Sequence, residues 1–156
     1  MLKLVIMIIH LLLSCNFSEG TAGFLYSKYF AVNLDNTNPI ECQSVVDGPN
    51  AAVCNYGEYN FLPYYDYSTI IMDHNHQGFR NLNQLKVGDY IYLQRNGLIY
   101  PYKVEQIIIG HETNTDGCYY VADENNISLY QGYEHGITLQ TCIDSYYRLI
   151  VRCKND

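Results

Sequence analysis

"ITLQTCIDSYYRLIV" (residues 137–151) decides how the rest of the chain is read. ITLQTC (137–142) and RLIVRC (148–153) are apolar, β-branched runs of strand length, separated only by residues 143–147. A link of that length is common in hairpins, so the two runs are expected to pair antiparallel, with Cys142 and Arg148 flanking the loop base. Directly opposed residues have Cα atoms roughly 4.5–5.5 Å apart and side chains on the same face. Alternation puts Thr138, Gln140 and Cys142 on one face, with Leu139 and Thr141 on the other; Arg148, Ile150 and Arg152 share a face of the partner strand. Connectivity alone therefore brings a thiol beside a guanidinium. Asp144 is the natural cap of the turn.

The same strand signals recur upstream. FLYSKYFAVNL (24–34) is rich in aromatic and β-branched residues, and YSTIIM (67–72) is a short run suited to a buried strand. YIYLQ and LIYPYKVEQIII flank RNG (95–97), where Asn96-Gly97 predicts a tight hairpin. Pro101 lacks an amide donor and so belongs at an edge or bulge. CYYVA and ISLYQ read as brief strands, while DHNHQGF (73–79) and GHETNTDG (110–117) read as loops. Residues 80–87 suit one or two helical turns, and 35–60, dense in turn residues, reads as an irregular excursion. Many short strands separated by turns predict an all-β barrel or sandwich with short helical turns.

Composition narrows the partners. The chain has 156 residues, 48% of them apolar, which suits one domain with a substantial core. With only 9 Lys+Arg and a formal net charge of −7 at pH 7, it lacks the clustered cations of a nucleic-acid surface. At the N-terminus Lys3 precedes LVIMIIHLLL (4–13), about ten residues where a membrane span needs roughly 20; this predicts an export signal over residues 1–20, before a domain at 24–156. LLSC (12–15) is similar to a lipobox, in which Cys15 would be lipidated; a cleaved signal and an uncleaved anchor that associates with the membrane are the other outcomes. In each case the domain works outside the cytoplasm. Beyond Cys15 stand Cys42, Cys54, Cys118, Cys142 and Cys153, an odd set that leaves a thiol unpaired in an oxidising compartment. Cys42 with Cys54 and Cys118 with Cys153 is one of several pairings the sequence allows.

Thiol and guanidinium together suit acyl transfer: a thiolate attacks a carbonyl and a fixed cation stabilises the developing oxyanion. The missing proton carrier is best supplied by His74, delivered to a barrel rim by the STIIM run. His74-x-His76, completed by Asp73, His111 or His135, is the metal-site alternative; His111 and His135 otherwise read as loop residues.

In this order the residues resemble the sortases, exported cysteine transpeptidases of bacterial surfaces. STIIMDHNHQGFRNLNQLKVGDYIYL (68–93) resembles the family segment in which a strand ends in the catalytic His, followed by Phe-x-x-Leu and a Leu-x-x-Gly-Asp turn. YPYKVEQIII (100–109) resembles the strand that follows, TLQTC (138–142) the Thr-Leu-x-Thr-Cys motif, and RLIVR (148–152) the Arg-bearing final strand. The resemblance covers about residues 60–153. It implies a closed barrel of about eight strands, with Cys142 as nucleophile, His74 as general acid/base and Arg148 as oxyanion or substrate-positioning cation. It also implies cleavage of a Leu-Pro-x-Thr-Gly-like sorting signal through a thioacyl-enzyme, with transfer to an amine of cell-wall precursor or pilin, and no metal or other cofactor in the chemistry. Asp73 stands before His74, where the family commonly has a small residue, and puts a carboxylate next to the imidazole in sequence. The 143–147 loop is short and the 35–60 segment is not placed by the family motifs, which motivates the alternative of a sortase-like extracellular binding or structural domain without turnover.

Overall fold

The barrel closes because one strand is long enough to pair with three others. In the computed structural model, which describes residues 23–37, 41–54, 69–115, 118–130 and 136–155, that strand is β6 (Leu98–Thr115). It pairs with β5 (Tyr90–Arg95) through its first residues, with β9 (Tyr147–Asn155) through its middle and with β7 (Cys118–Ala122) at its end. A register shift between Val104 and Gln106 supplies the local bend that such wrapping needs. The remaining strands are β1 (Gly23–Tyr26), β2 (Ala31–Thr37), β3 (Ala51–Cys54), β4 (Thr69–Met72) and β8 (Gly136–Cys142). The ring runs β5-β1-β2-β3-β4-β8-β9-β6 and returns to β5, an eight-stranded closed barrel with β7 appended outside it. The β2–β3 and β4–β8 joins are parallel and the others antiparallel. The expected fold class holds.

Local chemistry accounts for most elements. Asn96 (φ 52°) and Gly97 (φ 75°) form the tight β5–β6 turn, the left-handed pair that an Asn-Gly hairpin requires. Pro101 pairs with Tyr92 of β5, one residue before the β9 ladder begins at Tyr102, so its missing N–H falls where only one side of β6 is paired. Leu82–Gln84 form a 3-10 turn within the segment expected to be helical.

The strand signals of 24–34 are realised as two strands, because Ser27 N–H donates to Phe30 O at 2.8 Å and turns the chain between them. Three expectations are corrected. The 35–60 excursion contains a short helix α1 (Cys42–Val46) and strand β3; the turn residues there bound a strand instead of replacing it. Residues 110–115 are strand, not loop: ladders from β9 and β7 override a polar composition. Of ISLYQ, Ser128 makes only an isolated bridge to Ala122, since Asp123 Oδ1 accepts the N–H groups of Asn125 and Ile127 (both 2.9 Å) and curls the chain into a turn. The N-terminal export segment and His135 lie outside the described residues, and among those described no helix is long and apolar enough to cross a membrane.

Three apolar clusters position the site. Inside the barrel, Leu25, Leu34, Ile71, Phe79, Leu82, Ile91, Leu139 and Val151 are buried, each such side chain stabilising the fold by roughly 1.5–3 kcal/mol relative to exposure. On the outer wall, Ile70 and Ile150 are covered by Val121, Leu129 and Tyr130. Beside them Cys42, Val46, Ala52 and Cys54 seat α1 against the same wall, next to Met72. The strip of outer wall between these two coverings is the floor of a groove.

Candidate active site

The hairpin delivers two of the expected groups as foreseen. Cys142 opposes Arg148 in the β8–β9 register, and Asp144 caps the turn by accepting N–H groups of Tyr146 (2.8 Å) and Tyr147 (2.7 Å) through Oδ1. Alternation then sorts the strands: Leu139 and Val151 point into the barrel, while Gln140, Cys142, Arg148 and Ile150 belong to the outer wall.

His74 arrives by register as well. Strand β4 runs parallel to β8, with Met72 level with Gln140. The two chains stay stitched beyond β4: Asp73 N–H donates to Gln140 O (3.2 Å) and Thr141 Oγ1 donates to Asp73 O (2.8 Å). Two residues further along each chain, His74 comes level with Cys142. Asp73, one residue earlier, is buried and accepts the His74 backbone N–H at 2.7 Å. Burial pushes the Asp73 carboxyl up from its ordinary value, partly countered by the N–H donors of His74 and Gly78. Gly78 is required there, since a Cβ would stand 2.2 Å from Asp73 Oδ2.

Cys142, His74 and Arg148 line one pocket of about 270 Å³. Met72 and Gln140 lie at its floor, Cys42, Gln43 and Val46 of α1 form one wall, and Tyr120, Val121 and Tyr130 form the other. Tyr130 OH donates to Gln140 Oε1, tying the second wall to the floor. Gly110, opposite Arg148, lets that wall close: a Cβ would meet Val121 Cγ1 at 2.5 Å and Leu129 Cδ1 at 2.6 Å.

Two carboxylates in this region were not legible beforehand. Asp47 Oδ1 lies 3.0 Å from His74 Nε2, so the acid touching the imidazole comes from the end of α1 and not from Asp73. Glu112 Oε2 pairs with Arg148 Nη2, while Arg148 Nη1 donates to Asp144 O (3.0 Å) and Tyr147 O (3.1 Å). With 13% of its side chain exposed, Arg148 is held in a fixed orientation. Glu112 was hidden by reading 110–117 as a loop; continued as strand, alternation from Ile108 and Gly110 would have placed it on the Arg148 face. No local signal marks Asp47, which reaches His74 across 27 residues.

The other candidates are distributed differently. His76 stacks on His74 with ring centroids 4.9 Å apart. His111 is a strand residue, not a loop residue; its ring lies 3.1 Å from Asn126 Oδ1 and stacks on Tyr146. Among the described residues no group of three or more His, Cys, Asp or Glu side chains converges in the manner of a metal site. Cys42 and Cys54 form a disulfide, as one of the allowed pairings had it. Its companion pairing does not hold: Cys153 is a free thiol facing the barrel core, whereas β7, which carries Cys118, lies outside the ring.

The molecule is thus an eight-stranded barrel with an outer groove lined together by a thiol, an imidazole and a guanidinium, and comparison with known proteins gives the family. The sortase-domain family profile matches residues 35–156. The chain belongs to the sortase family. Among solved structures it is similar to sortase C1 of Streptococcus agalactiae (20% identity, TM-score 0.60, covering 89% of this chain and 69% of that one). It is likewise similar to sortase C of Streptococcus pneumoniae, a structure described for pilin substrate specificity (20%, TM-score 0.60, 90% and 70%). A third similar structure is sortase C1 of Streptococcus suis (20%, TM-score 0.60, 87% and 73%). Comparison with curated proteins found no match.

Proposed function

We infer that the protein is a cysteine transpeptidase that cleaves a sorting signal in surface proteins and passes the acyl group to an amine. The observation that carries this reading is the joint lining of one groove by Cys142, His74 and Arg148. In the first step the Cys142 thiolate attacks the scissile carbonyl carbon and forms a C–S bond. Negative charge moves to the carbonyl oxygen, where the Arg148 guanidinium stabilises it; a guanidinium has five N–H donors, more than the contacts to Glu112, Asp144 and Tyr147 require. The intermediate collapses with loss of the C–N bond as the His74 imidazolium gives its proton to the leaving amine. The resulting thioester is attacked by the acceptor amine; neutral His74 takes the amine proton, and Cys142 leaves as thiolate.

The groove supports a peptide substrate. Its floor and walls offer an apolar strip of Met72, Val46 and Val121, with Gln43, Gln140 and Tyr130 able to bond a peptide backbone. By family likeness the signal is Leu-Pro-x-Thr-Gly-like and the acceptor an amine of cell-wall precursor or pilin; the pilin substrate specificity for which the Streptococcus pneumoniae structure is described supports a pilin partner. The Cys42–Cys54 disulfide supports an oxidising, extracytoplasmic site of action, with membrane tethering through the N-terminal segment. The test is turnover of a panel of sorting peptides with an amine acceptor. Wild-type protein is expected to cleave and transfer at least one of them, and folded Cys142→Ala none. Transfer by Cys142→Ala would refute the reading, and equal, slow thiol reactivity at Cys142 and a model thiol would favour the non-catalytic alternative.

A further inference from the structure

α1 is a five-residue helix, and its C-cap, Asp47, carries the carboxylate that meets His74. Helix stability does not account for an acid there, since the C-terminal end of a helix favours cations. Three other contacts hold this end in place. Gln43 Nε2 donates to Asp47 Oδ1 at 2.8 Å. Gln77, from the loop that carries His74, reaches the carbonyls of Gly48 (3.1 Å) and Val46 (3.3 Å) when its amide nitrogen faces α1. The Cys42–Cys54 disulfide ties the start of α1 to β3, which pairs directly with β4. The carboxylate and the imidazole are thus anchored to adjacent strands.

The chemistry follows from donor and acceptor inventory. The hydrogen bonds from His74, and then from Gln43, hold the Asp47 carboxyl below its ordinary value, so it is an acceptor only. His74 Nε2 must therefore carry the hydrogen, which leaves the lone pair of the neutral ring on Nδ1. The His76 ring stacked on His74 limits the swing that would exchange the two nitrogens. The remaining ionisable groups around the ring are the Asp73 carboxyl, engaged by backbone N–H groups, and Cys142, Arg148 and Glu112 lining the pocket.

We propose that Asp47 is a positioning residue that fixes His74 as its Nε2–H form, so that Nδ1 exchanges the proton with Cys142, and that the Cys42–Cys54 disulfide keeps Asp47 in reach. The role rests on the transpeptidase reading but is measured independently of it. The test uses the full chain labelled with nitrogen-15 histidine, as wild type, Asp47→Ala, Asp47→Glu and the Cys42→Ser/Cys54→Ser double variant. Three quantities are read: the His74 tautomer at a pH where the ring is neutral, the rate of Cys142 alkylation by iodoacetamide, and kcat and KM for a sorting peptide. Asp47 has a side chain 60% exposed, so its variants are expected to fold. The expected result is a single Nε2–H pattern in wild type and a mixed pattern in Asp47→Ala. With it goes a fall in kcat of about tenfold or more, part of the roughly 10²–10⁴ that a positioned acid–base group supplies, at little change in KM. Asp47→Glu should restore the pattern and part of the rate, and the double serine variant should fall between. An unchanged His74 pattern in Asp47→Ala overturns the proposal, as does a lost pattern with unchanged alkylation and kcat. If no sorting peptide is turned over but the pattern and the alkylation rate still depend on Asp47, the positioning role stands and the transpeptidase reading alone fails.

Discussion

Two free thiols stand on one β-hairpin and meet opposite environments. Cys142 ends β8 on the outer wall, half-buried, opposite Arg148 and within the groove. Cys153 lies near the far end of β9, level with Ile137 and Val104, fully buried in the barrel core. Burial pushes the Cys153 thiol up to about 12, with Glu105 adding to the effect. The strand period of two decides which thiol can do chemistry: residues 148, 150 and 152 face out, and 149, 151 and 153 face in. A slip of one residue in β9 would turn Cys153 outward and Arg148 inward while leaving Cys142 where β8 places it, and the packing of Leu149 and Val151 inside the barrel prevents it.

The comparison breaks most sharply on reactivity. Under native conditions at pH about 8, iodoacetamide should modify Cys142 and spare Cys153 by several orders of magnitude in rate, since the thiolate is the reactive species and burial suppresses it. Peptide mapping after alkylation measures this, and comparable labelling of both thiols would remove the contrast. Next in size is the guanidinium: Arg148→Ala should lower kcat by about 10²–10³ with the fold intact, as for loss of an oxyanion donor. Arg148→Lys should recover little, because an ammonium cannot reproduce the planar fork that reaches Glu112 and the two carbonyls together. Steady-state kinetics with circular dichroism check both.

Stability separates the thiols in the other direction. Cys153→Ser puts a hydroxyl into an apolar core and should destabilise by about 1–3 kcal/mol, whereas Cys142→Ser at the half-exposed rim should leave the denaturant midpoint nearly unchanged. The raised Cys153 value has a definite sign: the folded chain keeps its proton while the unfolded thiol loses it above 9.0, so stability should fall as pH rises from there towards about 12. Part of that alkaline slope should vanish in Cys153→Ala, leaving the parts due to Tyr26 and Tyr102, whose phenols burial also pushes up. The smallest effect is expected at Glu112→Gln, which keeps a hydrogen-bond acceptor for Arg148 and removes the charge. A change in kcat of about threefold or less is expected, since a pair with one partially exposed member contributes little.

How much of this the sequence allowed follows from range. The hairpin that joins Cys142 to Arg148 was legible because turn length and alternation act within fifteen residues, and Asn96-Gly97 marked the β5–β6 turn for the same reason. His74 was legible as the end of an apolar run, although the parallel β4–β8 register that sets it beside Cys142 was not. Asp47 stayed hidden because its place depends on how α1 packs against the wall, a tertiary fact with no local periodicity. Glu112 was lost through a polar strand misread as a loop, and Cys153 through a pairing that ignored which face of β9 it occupies. Residues 127–130 failed in the opposite sense: a strand-like composition is bent by the Asp123 side chain into a turn that buries Leu129 and Tyr130.

The central claim is that the outward thiol carries the acyl group. Rapid quenching of wild-type protein with an excess of a cleavable sorting peptide, followed by intact-mass and peptide mapping, tests it most directly. The account predicts a single added acyl mass, labile to hydroxylamine and located on Cys142, with Cys153 unmodified. Peptide cleavage without any adduct on Cys142, or an adduct that persists in Cys142→Ala, would contradict it.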